Sequence, residues 1–300
     1  MGRNRRSIWL SCAMLAVMGH CCGGNWIILA LLSAVCAGMV YCTAGETGWI
    51  GSKLLCAFQL VWILLLAATY LPMAVPYWPG EGSRWIIPAV LLALSAWASS
   101  KRAEAAVSTI GWILGVLAIP FLYAMVKDCN PNWLIPTSRK LDPMIVPALL
   151  LPIAAAWIPN GERKRCTPVA LYTFGVLFWV LAASVLSPQV AGSTDTPLRL
   201  LGRTLTIGSA SRFESVVSVM ITLCWFGLLT MLLEIGKTLC KGMGIDRTWV
   251  VWGIAILVYG LYSLNVQQSP PFSAVMTPVL WVLVPKLHGK RKSKKSENNA

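Results

Sequence analysis

The sequence contains few acidic residues and almost no histidine. Eleven Asp and Glu residues stand against 25 Lys and Arg residues, and the two histidines are His20 and His288. We therefore expect neither haem nor a histidine-rich metal site. The sequence also lacks a nucleophile–base pair, a carboxylate dyad and a phosphate-binding loop. These absences predict a protein that is not an enzyme and carries no cofactor.

Charge of either sign is also scarce. Charged residues make up 12% of the chain and hydrophobic residues 57%, and the mean hydropathy is +0.67. A soluble domain has roughly a quarter charged residues. The 15 Trp and 18 Pro residues fit a membrane protein, since Trp gathers at membrane interfaces and Pro is tolerated in membrane helices. The composition predicts an all-α polytopic protein of the lipid bilayer.

The ten cysteines do not predict disulfides. Most of them lie in or beside apolar runs, where a free Cys behaves as a small hydrophobe. These are Cys12, Cys21, Cys22, Cys36, Cys42, Cys56 and Cys224. No CxxC pair occurs, and adjacent cysteines such as Cys21 and Cys22 suit neither zinc nor an ordinary bridge.

Ten apolar runs are candidate transmembrane helices. A bilayer core of roughly 30 Å requires about 20 apolar residues per helix. The runs lie at about 8–24, 25–42, 50–75, 84–98, 104–126, 142–158, 167–187, 212–236, 248–266 and 271–285. The first, fourth, sixth and tenth are short, so we expect them to be tilted, broken or only partly spanning.

Membrane topology explains the net charge of +14. Basic proteins can bind nucleic acid, but here Lys and Arg form short clusters between the apolar runs. With the N-terminus inside, 18 of these residues fall on the cytoplasmic side and 7 on the outer side. The positive-inside rule then predicts that both termini are cytoplasmic, without a nucleic-acid partner.

Two predicted outer loops, at about 127–141 and 188–211, are long. The second contains several Gly and Pro residues, so we expect it to carry a short re-entrant or surface helix. Residues 1–287 form the predicted transmembrane region, and the basic tail 288–300 is expected to lie against anionic lipid. The N-terminal run also resembles a signal peptide, but the lack of a clean cleavage site favours an uncleaved first helix.

Ten spans are compatible with an inverted repeat of five plus five helices, at about 8–126 and 142–287. In that architecture the first helix of each repeat is broken near mid-membrane. The first span contains Gly19, Gly23 and Gly24, and the sixth contains Pro147 and Pro152. Carbonyls freed by proline can bind a small polar solute. We therefore predict a ligand site between these spans, the alternative being a plain Pro-kinked structural helix.

Charged residues at the ends of spans are the remaining candidates. Glu104 opens the fifth span, Arg212 and Glu214 open the eighth, and Glu234 lies near its other end. Each can be a simple interfacial charge. Residues two apart on a helix do not face each other, so we expect Arg212 to pair outside its own helix, for example with Asp195, Asp142 or a loop carbonyl. Glu214 is expected to accept bonds from first-turn amides or from another helix.

Three stretches resemble the spore germination permease family, the B subunits of nutrient germinant receptors. They are Ala103-Glu104-Ala105-Ala106 at the start of a span, Ser211-Arg212-Phe213-Glu214 before an apolar helix, and Pro285 before a Lys/Arg-rich tail. The family has a Glu at the first position, an Arg-x-Glu motif at the second and a similar end to its last span. The likeness covers about residues 25–295.

The resemblance implies the LeuT-like fold of the amino acid–polyamine–organocation superfamily. It implies a permease-like receptor subunit in the inner membrane of a bacterial spore, which binds a small nutrient such as an amino acid. A-type and C-type germinant receptor subunits would be its partners, and Glu104, Arg212 and Glu214 its family residues. Two alternatives remain: a secondary transporter of amino acids or another small solute, and a structural membrane subunit with a degenerate transport site.

Overall fold

The structure is a computed structural model that describes much of the helical core. It describes residues 25–43, 53–77, 83–101, 103–134, 145–147, 149–150, 166–187, 197–207, 210–211, 214–266, 276–277 and 279–280. The α-helices among them are α1 (Trp26–Thr43), α2 (Lys53–Tyr70), α3 (Ser83–Lys101), α4 (Ala103–Lys127), α5 (Cys166–Val185), α6 (Pro197–Thr204), α7 (Glu214–Gly242) and α8 (Val250–Ser263).

Short elements complete the described chain. A 3₁₀ helix, Leu71–Tyr77, continues α2, and another, Pro131–Trp133, follows α4. Strands β1 (Thr206–Ile207) and β2 (Ala210–Ser211) form an antiparallel pair after α6. Apart from this pair, the regular elements of the described residues are helical, as the apolar runs predict.

Most helices coincide with predicted spans, and α6 lies in the loop for which a short re-entrant or surface helix was predicted. The first predicted span lies outside the described residues, and the described parts of the sixth and tenth are helical. The largest difference between a predicted and an observed helix boundary is at the end of the eighth span, which was predicted to end near 236. Helix α7 continues to Gly242 because Leu239 and Cys240 still face the core there.

Helix α7 lies at the centre of the described fold. Its residues 227–233 are all buried, and several side chains, such as Leu228 and Leu232, have no exposed surface. A helix that is apolar and buried on every side is enclosed by other elements. Helices α2, α3 and α8 supply most of that enclosure, since each packs against α7, and α8 also packs against α2 and α3.

A second group consists of α1 and α5. These two helices pack on each other over much of their length. Helix α4 lies between the groups, with contacts to α3, α5 and α7. The long described helices therefore form a four-helix group (α2, α3, α7 and α8), a helix pair (α1 and α5) and a connecting helix, α4, and the short α6 packs on α7.

Three described segments are long and apolar enough to cross a bilayer, namely Lys53–Pro76, Thr109–Lys127 and Glu214–Gly242. They differ in how much protein surrounds them. Trp112 and Ile119 of α4 are 77% and 71% exposed, whereas α7 is enclosed. Large apolar side chains exposed along such a helix are consistent with contact to lipid. The fold is thus consistent with an integral membrane protein.

Candidate functional site

The predicted solute site is only partly described. Gly19, Gly23, Gly24 and Pro152 lie outside the described residues, and so does Arg212. Glu104 lies in the first turn of α4, but its side chain is not described. Pro147 is buried within a helical stretch. The prediction of a site between the first and sixth spans therefore stays a prediction.

One hydrogen bond joins the sixth predicted span to α5. The Tyr172 hydroxyl of α5 donates to the backbone carbonyl of Leu149, and both residues are buried. A side-chain donor on a backbone carbonyl holds two helical segments in register. This contact could not be predicted from the sequence, because the partners are 23 residues apart and Tyr172 resembles any other aromatic residue in an apolar run.

Glu214, the first residue of α7, is held by two arginines of α6. Its Oε1 accepts from Arg199 Nε at 2.5 Å and from Arg203 Nη2 at 3.0 Å, and its Oε2 accepts from Arg203 Nε at 2.8 Å. Charge-assisted bonds of this kind are stronger than neutral ones. The bonds to Glu214 also raise the pKa of Arg203 above its ordinary value, so the guanidinium stays charged.

The position of these arginines follows from the amphipathic pattern of α6. Leu198, Leu201 and Leu205 are buried, while Arg199 and Arg203 lie one helical turn apart on a partly exposed face. The carboxylate of Glu214 thus bonds to another helix, one of the two arrangements expected for it. The spacing of the leucines could have predicted the helix α6, but it did not indicate which residue its arginines would contact.

Glu234, near the other end of α7, makes a second polar contact. Ser99 Oγ of α3 donates to Glu234 Oε1 at 2.7 Å. Lys237 Nζ lies 3.5 Å from the same oxygen and donates to the Ser99 carbonyl at 3.2 Å. The Glu234 side chain is 13% exposed. The contact with Lys237 can be predicted from the sequence, because Lys237 lies three residues after Glu234 on the same helix. The contact with Ser99 cannot, because Ser99 is 135 residues away.

Gln59 provides a third polar contact in the apolar core. This residue of α2 has no exposed surface, and its Nε2 donates to the Leu280 carbonyl at 3.3 Å. Leu280 lies in a π-helical turn at 279–280. Because a carbonyl accepts only, the amide nitrogen must face it, and Oε1 points away. No donor reaches that oxygen from the described residues.

These polar contacts join neighbouring helical segments. No group of three or more His, Cys, Asp or Glu residues that could hold a metal occurs within the described ranges. The carboxylates of Glu214 and Glu234 are bonded to cations, and the buried hydroxyls of Thr69 and Thr230 bond to carbonyls of their own helices. Such a site can bind, orient or lock helices, but it offers no paired nucleophile and base.

Fold and contacts together describe a helical protein with membrane-spanning potential, in which charges near the ends of the central helix bond to neighbouring elements. Comparison of the chain with protein-family models, curated proteins and solved structures finds no match.

Proposed function

We propose that this chain is a permease-like subunit of a spore nutrient germinant receptor, which binds a small nutrient such as an amino acid without catalysing a reaction. It would have ten transmembrane helices in a LeuT-like inverted repeat and both termini in the cytoplasm. The nutrient would bias an equilibrium between conformations, which requires unequal affinity for them. A-type and C-type receptor subunits would receive the signal.

The pairing of helices supports this proposal. If the two repeats each have five spans, the second, third and fourth spans correspond to the seventh, eighth and ninth. These are α1 with α5, α2 with α7, and α3 with α8. Each helix packs against its own counterpart in the other repeat. The contact between α3 and α7 is likewise the counterpart of the contact between α2 and α8, because exchanging the repeats converts one pair into the other. A two-fold axis between the repeats would produce this pattern.

A binding experiment tests the solute site. Purified protein in lipid nanodiscs is titrated with each of the 20 labelled amino acids. Tyr172→Phe removes the hydroxyl that joins α5 to the sixth predicted span, so we expect it to weaken binding about 2- to 10-fold, the equivalent of one neutral hydrogen bond. Thr109→Ala is the matched control, because the Thr109 hydroxyl bonds to Ala105 of its own helix on an exposed face.

The alternatives predict different results. Saturable binding without concentrative uptake into proteoliposomes supports a receptor subunit, and concentrative uptake supports a secondary transporter. Absence of binding with every amino acid would favour a structural subunit with a degenerate site. Affinity purification of the tagged chain from spore membranes should recover A-type and C-type subunits, and recovery of the chain alone would count against the receptor role.

A further inference from the structure

The helix pair and the four-helix group have few direct contacts in the described structure. Neither α1 nor α5 makes an extensive contact with α2, α3, α7 or α8 there. Two elements contact both groups. One is α4, and the other is the segment 197–207, which contains α6 and β1. This segment lies at the end of the fold where α7 begins.

The segment 197–207 is seated closely on the four-helix group. A Cβ atom added at Gly202 of α6 would lie 2.9 Å from Val217 Cγ2 and 3.1 Å from the Cα atom of Glu214. Only glycine allows the two helices to approach this closely. Helix α6 also contacts α5, and β1 contacts α4. The segment therefore crosses from one group to the other.

Charge-assisted hydrogen bonds hold α6 on the four-helix group. Arg199 bonds to Glu214 and also donates from Nη1 to the Pro76 carbonyl at 3.3 Å, so it joins α6 to α7 and to the 3₁₀ helix after α2. Arg203 adds two more bonds to Glu214. The arginines are four residues apart on one helix, where like charges repel. The shared carboxylate offsets that repulsion.

We infer that residues 197–207 form a strap that holds the α1–α5 pair against the four-helix group at this end, and that the Glu214 carboxylate is the anchor of the strap. With the anchor in place, the two groups cannot separate here. With the anchor removed, the strap loses three charge-assisted bonds and keeps two adjacent positive charges. The inference does not depend on the identity of a solute or on the receptor role.

Hydrogen exchange and a distance measurement test the strap. The full chain in lipid nanodiscs is compared with Glu214→Gln. We expect amide exchange in residues 198–205 to become at least about tenfold faster, because local opening of α6 is easier without the anchor. Spin labels on unnatural amino acids at the exposed positions Leu177 of α5 and Val219 of α7 report the separation of the groups. Their distance distribution should broaden in Glu214→Gln.

Asp246→Asn is the matched control. It removes an exposed ion pair with Lys241 at the other end of α7, and it should leave both measurements unchanged. Exchange in 198–205 that stays within twofold of wild type in Glu214→Gln would overturn the anchor. Faster exchange with an unchanged Leu177–Val219 distance distribution would overturn the strap and leave only a local contact.

If Glu214→Gln does not accumulate, Arg203→Gln takes its place. This variant removes two of the three bonds at an exposed residue, and the same outcomes support or overturn the strap.

Discussion

The two glutamates of α7 differ in what they hold together. Glu214 begins the helix and bonds to two arginines of a short surface element, whereas Glu234 bonds to Ser99 of a core helix and to Lys237 of its own. The helix macrodipole favours a negative charge at Glu214. It gives no such support to Glu234, about two turns before the other end. Bonded partners must therefore compensate the Glu234 charge.

The two glutamates also differ in how deeply their side chains are buried. Glu234 is 13% exposed and Glu214 25% exposed, and Arg203 is 55% exposed. A charge that loses its partner in a buried place cannot be stabilised by water, whereas an exposed one can. Loss of the Glu214 contact should therefore loosen one segment, whereas loss of the Glu234 contact should weaken the packing of α3 on α7.

The largest effect is expected from Glu234→Ala. It leaves the Ser99 hydroxyl without its acceptor and the Lys237 ammonium without its counter-charge between two closely packed helices, and Lys237 keeps its bond to the Ser99 carbonyl. We expect the free energy of unfolding in detergent to fall by about 2–4 kcal/mol, below the value for a fully buried pair because Lys237 is 35% exposed. Denaturant titration followed by tryptophan fluorescence measures this change.

The double variant Glu234→Met, Lys237→Met is the control for that prediction. Replacing both charges by apolar side chains of similar length should restore much of the lost stability, because no unpaired charge remains. If the double variant is as unstable as Glu234→Ala, the loss comes from packing and the ion pair does not contribute.

A smaller effect, of opposite sign, is expected at Gln59. Its amide makes one neutral hydrogen bond to Leu280 and leaves Oε1 buried without a described donor. An unsatisfied buried oxygen costs about 1–3 kcal/mol, and one neutral bond contributes about 1 kcal/mol. Gln59→Leu should therefore leave stability unchanged or raise it by about 1 kcal/mol. A decrease of more than about 1 kcal/mol would mean that Oε1 has a partner in the working protein.

The sequence predicts the positions of the long helices better than it predicts the partners of their charged side chains. Long apolar runs place both ends of α4 and the start of α7 within about two residues, because a buried or lipid-facing helix needs continuous hydrophobicity, but they do not predict the last turns of α7. The tie between the 188–211 loop and the eighth span was expected through Arg212, which lies outside the described residues. The prediction for Arg212 stays a prediction. The described tie uses Arg199 and Arg203, and local spacing does not reveal which loop arginine reaches a helix end.

The smallest effect is expected from the exposed ion pair at the end of α7. Lys241 Nζ and Asp246 Oδ2 are 2.9 Å apart, but their side chains are 63% and 67% exposed. The turn between them is held by its backbone: the Ile245 amide donates to the Cys240 carbonyl at 2.9 Å, and Gly244 has a φ of +94°. An exposed ion pair contributes about 0–1 kcal/mol, so Asp246→Asn should change stability by less than about 0.5 kcal/mol.

Gly244→Ala tests the same turn through its backbone. No atom lies within 4 Å of an added Cβ, so a steric clash is absent and the cost is conformational. A left-handed backbone costs an L-residue roughly 1–2 kcal/mol, and we expect the free energy of unfolding to fall by about that amount. If Asp246→Asn lowers stability more than Gly244→Ala does, the ion pair holds this turn. The end of α7 would then depend on charge, as the Glu234 contact does.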